Sequence, residues 1–275
     1  MAKKITVSPA ATYPKKRKAE RAMARTLKKM FKGTKKDALP DMVEAYRRVM
    51  EEHRVSKAIG GERDHILDEL DLDSWIAEID ALSGSVSDVQ VEAAKRALTA
   101  LKVSDDDDLF DKVSELAVQA AKDRAAELVG MKWDGDKLVP NPSAEWAITE
   151  ATREGIRDMV ETALTDGLTV DEFAKKLMDS YMFSDSRAET IARTEIARAH
   201  VDGTMEAWKA SGLVTGKRWL TGSEHDDGSD CDCADNEDDG VIDLDDAFSS
   251  GDDAPPAHPN CVCVLVTSLL DSAEE

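Results

Sequence analysis

Aromatic side chains are scarce in this chain: Phe, Trp and Tyr together make up 5% of its 275 residues. Charged residues, by contrast, make up 34%. Sheet-rich folds draw on aromatic and β-branched residues, so this mixture argues against a β-sandwich and favours solvated helices. Apolar residues still form 41% of the chain, which is enough for a buried core in one or two domains.

Long apolar runs are also missing. No stretch reaches the roughly eighteen apolar residues that a membrane-spanning helix needs. The basic N-terminus is not followed by an apolar segment, which argues against a secretory signal. We therefore expect no membrane partner, and synthesis in a reducing cytosol, where cysteines bind metal more often than they form disulfides.

Each end of the chain nearly lacks charge of one sign. Residues 1–36 contain thirteen Lys and Arg and a single acid, Glu20, for a net charge of +12. Residues 221–275 contain seventeen Asp and Glu and no Lys or Arg, for a net charge of −17. Such polarity predicts two different partners, or contact between copies of the chain.

The basic segment has two interpretations. It is either a disordered arm or a basic helix from about Lys15 to Lys32 that contacts phosphate or an acidic protein face. The candidate nucleic-acid-binding residues are Lys15, Lys16, Arg17, Lys18, Arg21, Arg25, Lys28 and Lys29.

Cysteine occurs four times, and its copies are grouped. Cys231 and Cys233 form one C-x-C pair, Cys261 and Cys263 form another, and His258 lies beside the second pair. This grouping predicts one spatial site that closes an acidic loop at its base. Five candidate ligands are available for the four positions of a structural zinc ion. A disulfide staple and free thiols are the alternatives.

Within that loop, acidic residues follow the spacing of a calcium-binding EF-hand. The first, third, fifth, sixth and twelfth positions are Asp235, Glu237, Asp239, Gly240 and Asp246. Glu at the third position and Asp at the twelfth fit that loop poorly. Calcium binding is therefore not expected, and a solvated acidic surface is the preferred interpretation.

Apolar residues recur at three- and four-residue intervals over most of the chain. We predict a mainly α fold: a helical N-terminal region, and a C-terminal helical module with a small β element and a long acidic loop stapled by Cys and His. The predicted segments are a basic arm (1–36), a helical region (37–130), a linker or small ribbon (131–142) and the C-terminal module (143–275).

Local signals refine this prediction. Residues 217–221 and 261–269 are apolar, β-branched runs that should pair as strands with the acidic loop between them. Thr169 and Glu172 have the spacing of a helix capping box. Gly84 and Gly212 are predicted to end helices.

A series of motifs in the second half makes the chain recognisable. In order, they are Asn141-Pro142, Ser186 to Glu195, Ala199, Gly203, Gly212, Trp219, and Pro255 to Cys263. Over about residues 140–267 the chain resembles the phage Mu protein F-like family, the minor head or head-morphogenesis proteins of tailed bacteriophages. Two positions depart from the family pattern: Asp230 stands where a first cysteine is typical, and Val262 where arginine is common.

The resemblance implies a virion component that lies inside the head or at its portal vertex and is assembled in the host cytoplasm. Its implied partners are the portal protein and capsid or scaffold proteins. Separately, the charge of the basic arm makes packaged viral DNA or an acidic scaffold surface its expected contact. The motif residues implied to be structural are Arg187, Arg193, Thr194, Glu195, Gly203 and Trp219.

We do not expect an enzyme. The chain has no Gly-rich phosphate loop, serine nucleophile elbow or His-Glu-x-x-His motif. Arg193 and Glu195 could serve phosphate chemistry, but their place inside a predicted helix favours a structural role. The alternatives are a phage-delivered effector enzyme, such as a nuclease or toxin, and a metal-dependent binding module without a virion role.

Overall fold

The computed structural model describes residues 14–53, 60–103, 107–222 and 231–269. The helices are α1 (Pro14–Asp37), α2 (Leu39–His53), α3 (Gly60–Leu67), α4 (Ile79–Ala100), α5 (Asp107–Leu128), α6 (Ile148–Asp166), α7 (Val170–Met178), α8 (Asp185–Ser211) and α9 (Cys233–Asp238). The strands are β1 (Met131–Asp134), β2 (Lys137–Pro140), β3 (Val214–Leu220), β4 (Val241–Asp243) and β5 (Val264–Leu269). The fold is mainly α, as predicted from the composition.

The chain folds into two units, each built from segments that are distant in sequence. The first takes the described parts of Met1–Ala22, Ser83–Lys122 and Thr190–Glu275, and the second takes the described parts of Met23–Leu82 together with Asp123–Glu189. The division into arm, helical region, linker and module stays a prediction. Its parts at residues 1–13, 54–59, 104–106, 223–230 and 270–275 lie outside the described residues.

The first unit is organised around a three-stranded antiparallel sheet in the order β4-β3-β5. The predicted pairing of the two apolar runs is confirmed, with Trp219 opposite Leu265. Trp219 is fully buried, and its ring meets that of Phe248 edge-on, with the centroids 5.2 Å apart. The same apolar core includes residues from the second half of α4, among them Leu98, and from the second half of α8.

The acidic loop has more regular structure than the sequence predicts. It contains the six-residue α9, and β4 pairs with β3 so that Gly216 lies opposite Asp243. Both elements are shorter than the windows over which hydrophobic periodicity can be recognised. They are held by the neighbouring sheet instead of by their own propensity.

In the second unit, aromatic residues join helices. The Tyr46 ring of α2 stacks on Phe173 of α7 at 4.2 Å, and its hydroxyl donates to the carbonyl oxygens of Ala163 and Leu168 at 3.1 and 2.9 Å. The Trp75 indole N–H donates to the Thr34 hydroxyl at 2.9 Å. These bonds satisfy polar atoms that burial would otherwise leave unpaired.

Two predicted helix signals are confirmed. The N–H of Glu172 donates to the Thr169 hydroxyl oxygen at 3.3 Å, and the N–H of Thr169 donates to the Glu172 carboxylate at 2.9 Å, which is a capping box. Gly212 follows α8 with a φ of 63°, the left-handed conformation that ends a helix. Residues 131–140 form the antiparallel β1–β2 hairpin, the ribbon alternative for this segment.

The prediction that a helix ends near Gly84 is wrong, because α4 runs through this residue. Leu82, Val86 and Val89 are buried on one face of α4, while Gly84 is exposed. A glycine inside a helix costs about 1 kcal/mol relative to alanine, which the burial of that apolar face outweighs.

Among the described residues, no helix combines the length and the apolarity required to cross a lipid bilayer.

Candidate metal centre

The structure brings all four cysteines and His258 into one cluster. The donor atoms of Cys231, Cys233 and His258 lie within 4.8 Å of one another, as do those of Cys233, Cys261 and Cys263. Cys233 belongs to both groups, and its Sγ lies 3.9 Å from that of Cys261. The predicted donors therefore share one site at the root of the acidic loop.

The cluster is built into the apolar core of the first unit. Cys233, Cys261 and Cys263 are buried in that core, while Cys231 is half-buried beside it. No disulfide joins any two of these four cysteines in the structure. Because these sulfurs are shielded from water, a metal ion bound there would be enclosed by protein, as in a structural metal site.

A tight turn delivers two of the donors. The N–H of Cys261 donates to the carbonyl oxygen of His258 at 3.1 Å, and Asn260 has a φ of 60°. Proline at the second position and a positive φ at the third are the features of a type II β-turn. His258 and Cys261 thus stand at the two ends of one turn.

The ring of His258 is oriented for ligation. Its Nδ1 lies 3.0 Å from the carbonyl oxygen of Pro259, which can only accept, so Nδ1 carries the proton. In the neutral form of the ring the lone pair is then on Nε2, which is buried and has no hydrogen-bond partner. Metal-bound histidines commonly donate their second ring N–H in this way.

The thiols differ in acidity. The thiol of Cys263 donates a hydrogen bond that lowers the pKa of Cys261 to about 5, and the backbone N–H groups of Cys263 and Ala257 act in the same direction. Burial, reinforced by the charge of Cys261, raises the pKa of Cys233. The hydrogen bond to Cys261, together with burial, raises the pKa of Cys263. Among these three thiols, Cys261 is therefore the most acidic.

Helix α8 holds the turn from outside. The N–H of Asn260 donates to the Thr194 hydroxyl at 3.0 Å, and the Arg193 guanidinium donates to the Asn260 carboxamide oxygen at 2.7 Å. The Thr194 hydroxyl in turn donates to the Thr190 carbonyl at 2.8 Å. Asn260 was not singled out from the sequence, although Pro-Asn is a recognisable turn signal.

Other motif residues occupy structural positions. The Arg187 guanidinium is buried and donates to the Thr152 hydroxyl at 2.9 Å and to the Met182 carbonyl at 2.6 Å. Burial lowers the pKa of Arg187 to about 10. Glu195 is 5% exposed, and Gly203 lies directly against the backbone of Gln90.

The basic residues lie on α1, so the helical interpretation holds for residues 14–37. Four of the eight candidates either form ion pairs within the chain or are buried. Lys15 pairs with Glu92 at 2.7 Å, Lys28 with Glu189 at 2.7 Å and Lys29 with Glu78 at 2.5 Å, while Lys16 is buried. The remaining four are exposed: Arg17, Lys18, Arg21 and Arg25.

Two carboxylates of the EF-hand-like series hold the acidic loop together. Glu237 accepts hydrogen bonds from the Thr221 hydroxyl and from its N–H, the latter at 3.2 Å. Asp239 accepts from the N–H of Ser249 at 2.7 Å. These oxygens therefore serve the fold of the loop.

Comparison with known proteins yields one family. The family model described as Phage Mu protein F like protein matches residues 154–266, a segment that contains α8, strands β3 and β4, the first three residues of β5 and the five candidate donors. No curated protein and no solved structure matches the chain. Over residues 154–266 the chain is similar to the phage Mu protein F-like family, which confirms the sequence resemblance and supports a phage head-related protein.

Proposed function

We propose that this protein is a minor head, or head-morphogenesis, protein of a tailed bacteriophage. In this role it contributes no catalysis and joins the portal protein and the capsid or scaffold proteins while the head is assembled. It then stays in the virion, inside the head or at the portal vertex. The observation that carries the proposal is the family match over residues 154–266.

The use of the motif residues supports a structural role. Arg193, which could contact phosphate in an enzyme, donates instead to Asn260. Glu195 is buried within α8, and Arg187 is buried among protein hydrogen-bond acceptors. Burial keeps Glu195 and Arg187 from reaching a substrate, as a catalytic group must, and the Arg193 bond serves the turn.

Zinc is the cofactor that the donor set fits best. With Zn–S bonds of about 2.3 Å, two thiolates of a tetrahedral site lie about 3.8 Å apart. The Sγ atoms of Cys233 and Cys261 are 3.9 Å apart, and the unpartnered Nε2 of His258 supplies a nitrogen donor. Residues 244–263 contain no helix or strand, so an ion at this point would fix a segment with little regular structure.

The exposed cations of α1 fit an anionic partner. Arg17, Lys18, Arg21 and Arg25 would contact packaged DNA or an acidic scaffold surface. On DNA, such contacts bind phosphates and carry no base readout, so binding would weaken as salt is raised.

Head incorporation is the decisive test. The chain should be detected by mass spectrometry in purified heads at low copy number, and it should co-purify with the portal protein when the two are co-expressed. Absence from heads, together with nuclease or toxin activity of the purified chain, would instead establish the effector alternative. Absence from heads with retained metal binding would favour the binding module.

Zinc is tested separately by elemental analysis of protein purified under reducing conditions. One zinc per chain is expected, and chelation should lower the melting temperature. Four thiols that alkylate readily in metal-free protein whose melting temperature zinc does not raise would refute the zinc site. A mass decrease matching two disulfides in protein from mature heads would support the staple alternative.

A further inference from the structure

We infer that Asn260 is a positioning residue for the metal centre, through which Arg193 and Thr194 of α8 hold the turn that carries His258 and Cys261. This inference rests on the proposed zinc cofactor. Asn260, Arg193 and Thr194 all belong to the motifs that carry the family resemblance. In this inference they share one role: they position the metal donors without binding the metal themselves.

The residue type at position 260 is the first argument. A φ of 60° at this position of a turn is most easily adopted by glycine and is tolerated by asparagine. Glycine would therefore meet the conformational requirement at lower cost. Asparagine adds only a carboxamide, and here that group accepts from Arg193 at 2.7 Å and lies 3.5 Å from the Thr190 hydroxyl.

The second argument is the rigidity of the anchor. Ala192 and Ile196, which flank Arg193 and Thr194 on α8, are buried in the protein interior. Thr194 itself is 5% exposed, so its hydroxyl is a fixed acceptor for the N–H of Asn260. The turn is thereby tied to a 27-residue helix.

The third argument is the need for such a tie. Between Leu244 and Cys263 the chain forms turns and bends, without helix or strand. Donor atoms must be held to a few tenths of an ångström for tight metal binding, and irregular backbone does not supply that precision by itself. Outer contacts that orient ligands typically change metal affinity by about 10- to 100-fold.

Two variants remove contacts between α8 and the turn at Asn260 without disrupting the fold. Asn260→Gly keeps the positive φ and deletes the carboxamide, and Thr194→Val is nearly isosteric and deletes the hydroxyl. The matched control is Thr99→Val in α4, because the Thr99 hydroxyl makes the same bond to the carbonyl four residues back, at 2.8 Å to Lys95, and holds no turn.

The measurement is zinc affinity of the full, reduced chain, in competition with a colorimetric chelator. We expect Asn260→Gly and Thr194→Val to weaken zinc binding by about 10- to 100-fold, with helical content unchanged and Thr99→Val at the wild-type value. Asn260→Asp should retain most of the affinity, since Asp tolerates a positive φ and also accepts from Arg193. Wild-type affinity in both test variants would overturn the inference.

A second readout separates this inference from the zinc proposal. In reduced, metal-free protein, the alkylation rate of Cys261 is measured by peptide mass spectrometry, with Cys231 as the internal reference. Loosening of the turn should raise the Cys261 rate several-fold in Asn260→Gly. If the wild type binds no zinc, the zinc proposal fails. The Cys261 alkylation rate then still shows whether the contacts of Asn260 with Arg193 and Thr194 order the turn. Equal rates in wild type and variant would overturn it.

Discussion

The contact of Gly203 with α4 provides a sharp test of the fold of the first unit. A Cβ at position 203 would lie 2.2 Å from the carbonyl oxygen of Gln90 and 2.8 Å from its carbonyl carbon and Cα. These are backbone atoms, so no side chain can rotate away. A carbon normally approaches a carbonyl oxygen to about 3.3 Å, which means that α4 and α8 would have to separate locally by about 1 Å.

The expected cost of Gly203→Ala follows from two opposing effects. Overpacking of this kind costs about 1–3 kcal/mol, and a clash with backbone belongs at the upper end. Alanine regains about 1 kcal/mol of helix propensity. The net destabilisation is about 2 kcal/mol, which corresponds to a fall in melting temperature of about 4–8 °C for a unit of this size.

Gly84→Ala is the matched control, because Gly84 also lies inside a helix of the first unit and a Cβ there would meet nothing within 4 Å. This variant should stabilise the protein by about 0.5–1 kcal/mol. Both variants are measured by calorimetry or by denaturant unfolding. If Gly203→Ala stabilises the protein as much as Gly84→Ala does, the close approach of the two helices is wrong.

Three further predictions concern charge, pH and metal. Burial, reinforced by the charges of Lys16 and Arg96, lowers the pKa of His200 to about 4, so the unfolded state binds more protons between pH 6.5 and 4. The contribution of neutral His200 to the free energy of unfolding is therefore complete above pH 6.5 and falls as the pH decreases. Between pH 7 and 5, the free energy of unfolding of the wild type should fall by about 2 kcal/mol more than that of His200→Gln, measured by denaturant unfolding. Equal losses in the two proteins would contradict this. Cys233→Ser should abolish zinc retention and lower the melting temperature, because Cys233 belongs to both donor groups; zinc content at the wild-type level would exclude it as a ligand. Replacing the four exposed α1 cations by Gln should remove DNA binding and its salt dependence, measured by fluorescence anisotropy, whereas Lys28→Gln, at a paired lysine, should change it little. The four cations are Arg17, Lys18, Arg21 and Arg25.

Much of the local structure could be predicted from short stretches of sequence. The capping box at Thr169 and the stop at Gly212 depend on residues within one turn of a helix, so their signals are complete in the sequence. The β3–β5 pairing could be predicted because two β-branched runs flank one loop. The grouping of the cysteines in the sequence likewise predicts a shared site, and in the structure their side chains lie together.

Other features were decided by packing. Gly84 carries a local stop signal, yet the buried face of α4 overrides it, and Gly203 is required only because another helix passes at that point. Half of the basic candidates on α1 are paired or buried, which no count of charges can reveal. The elements α9 and β4 are too short to have a period of their own.

The sequence by itself determined the mainly helical class, the family match over residues 154–266 and the five candidate donors, because composition and local spacing suffice for these. Only the tertiary structure decided that Asn260 is held by Arg193 and Thr194, and that His258 presents a free Nε2. Those contacts join residues more than sixty positions apart, and such proximity is set by the packing of the whole unit.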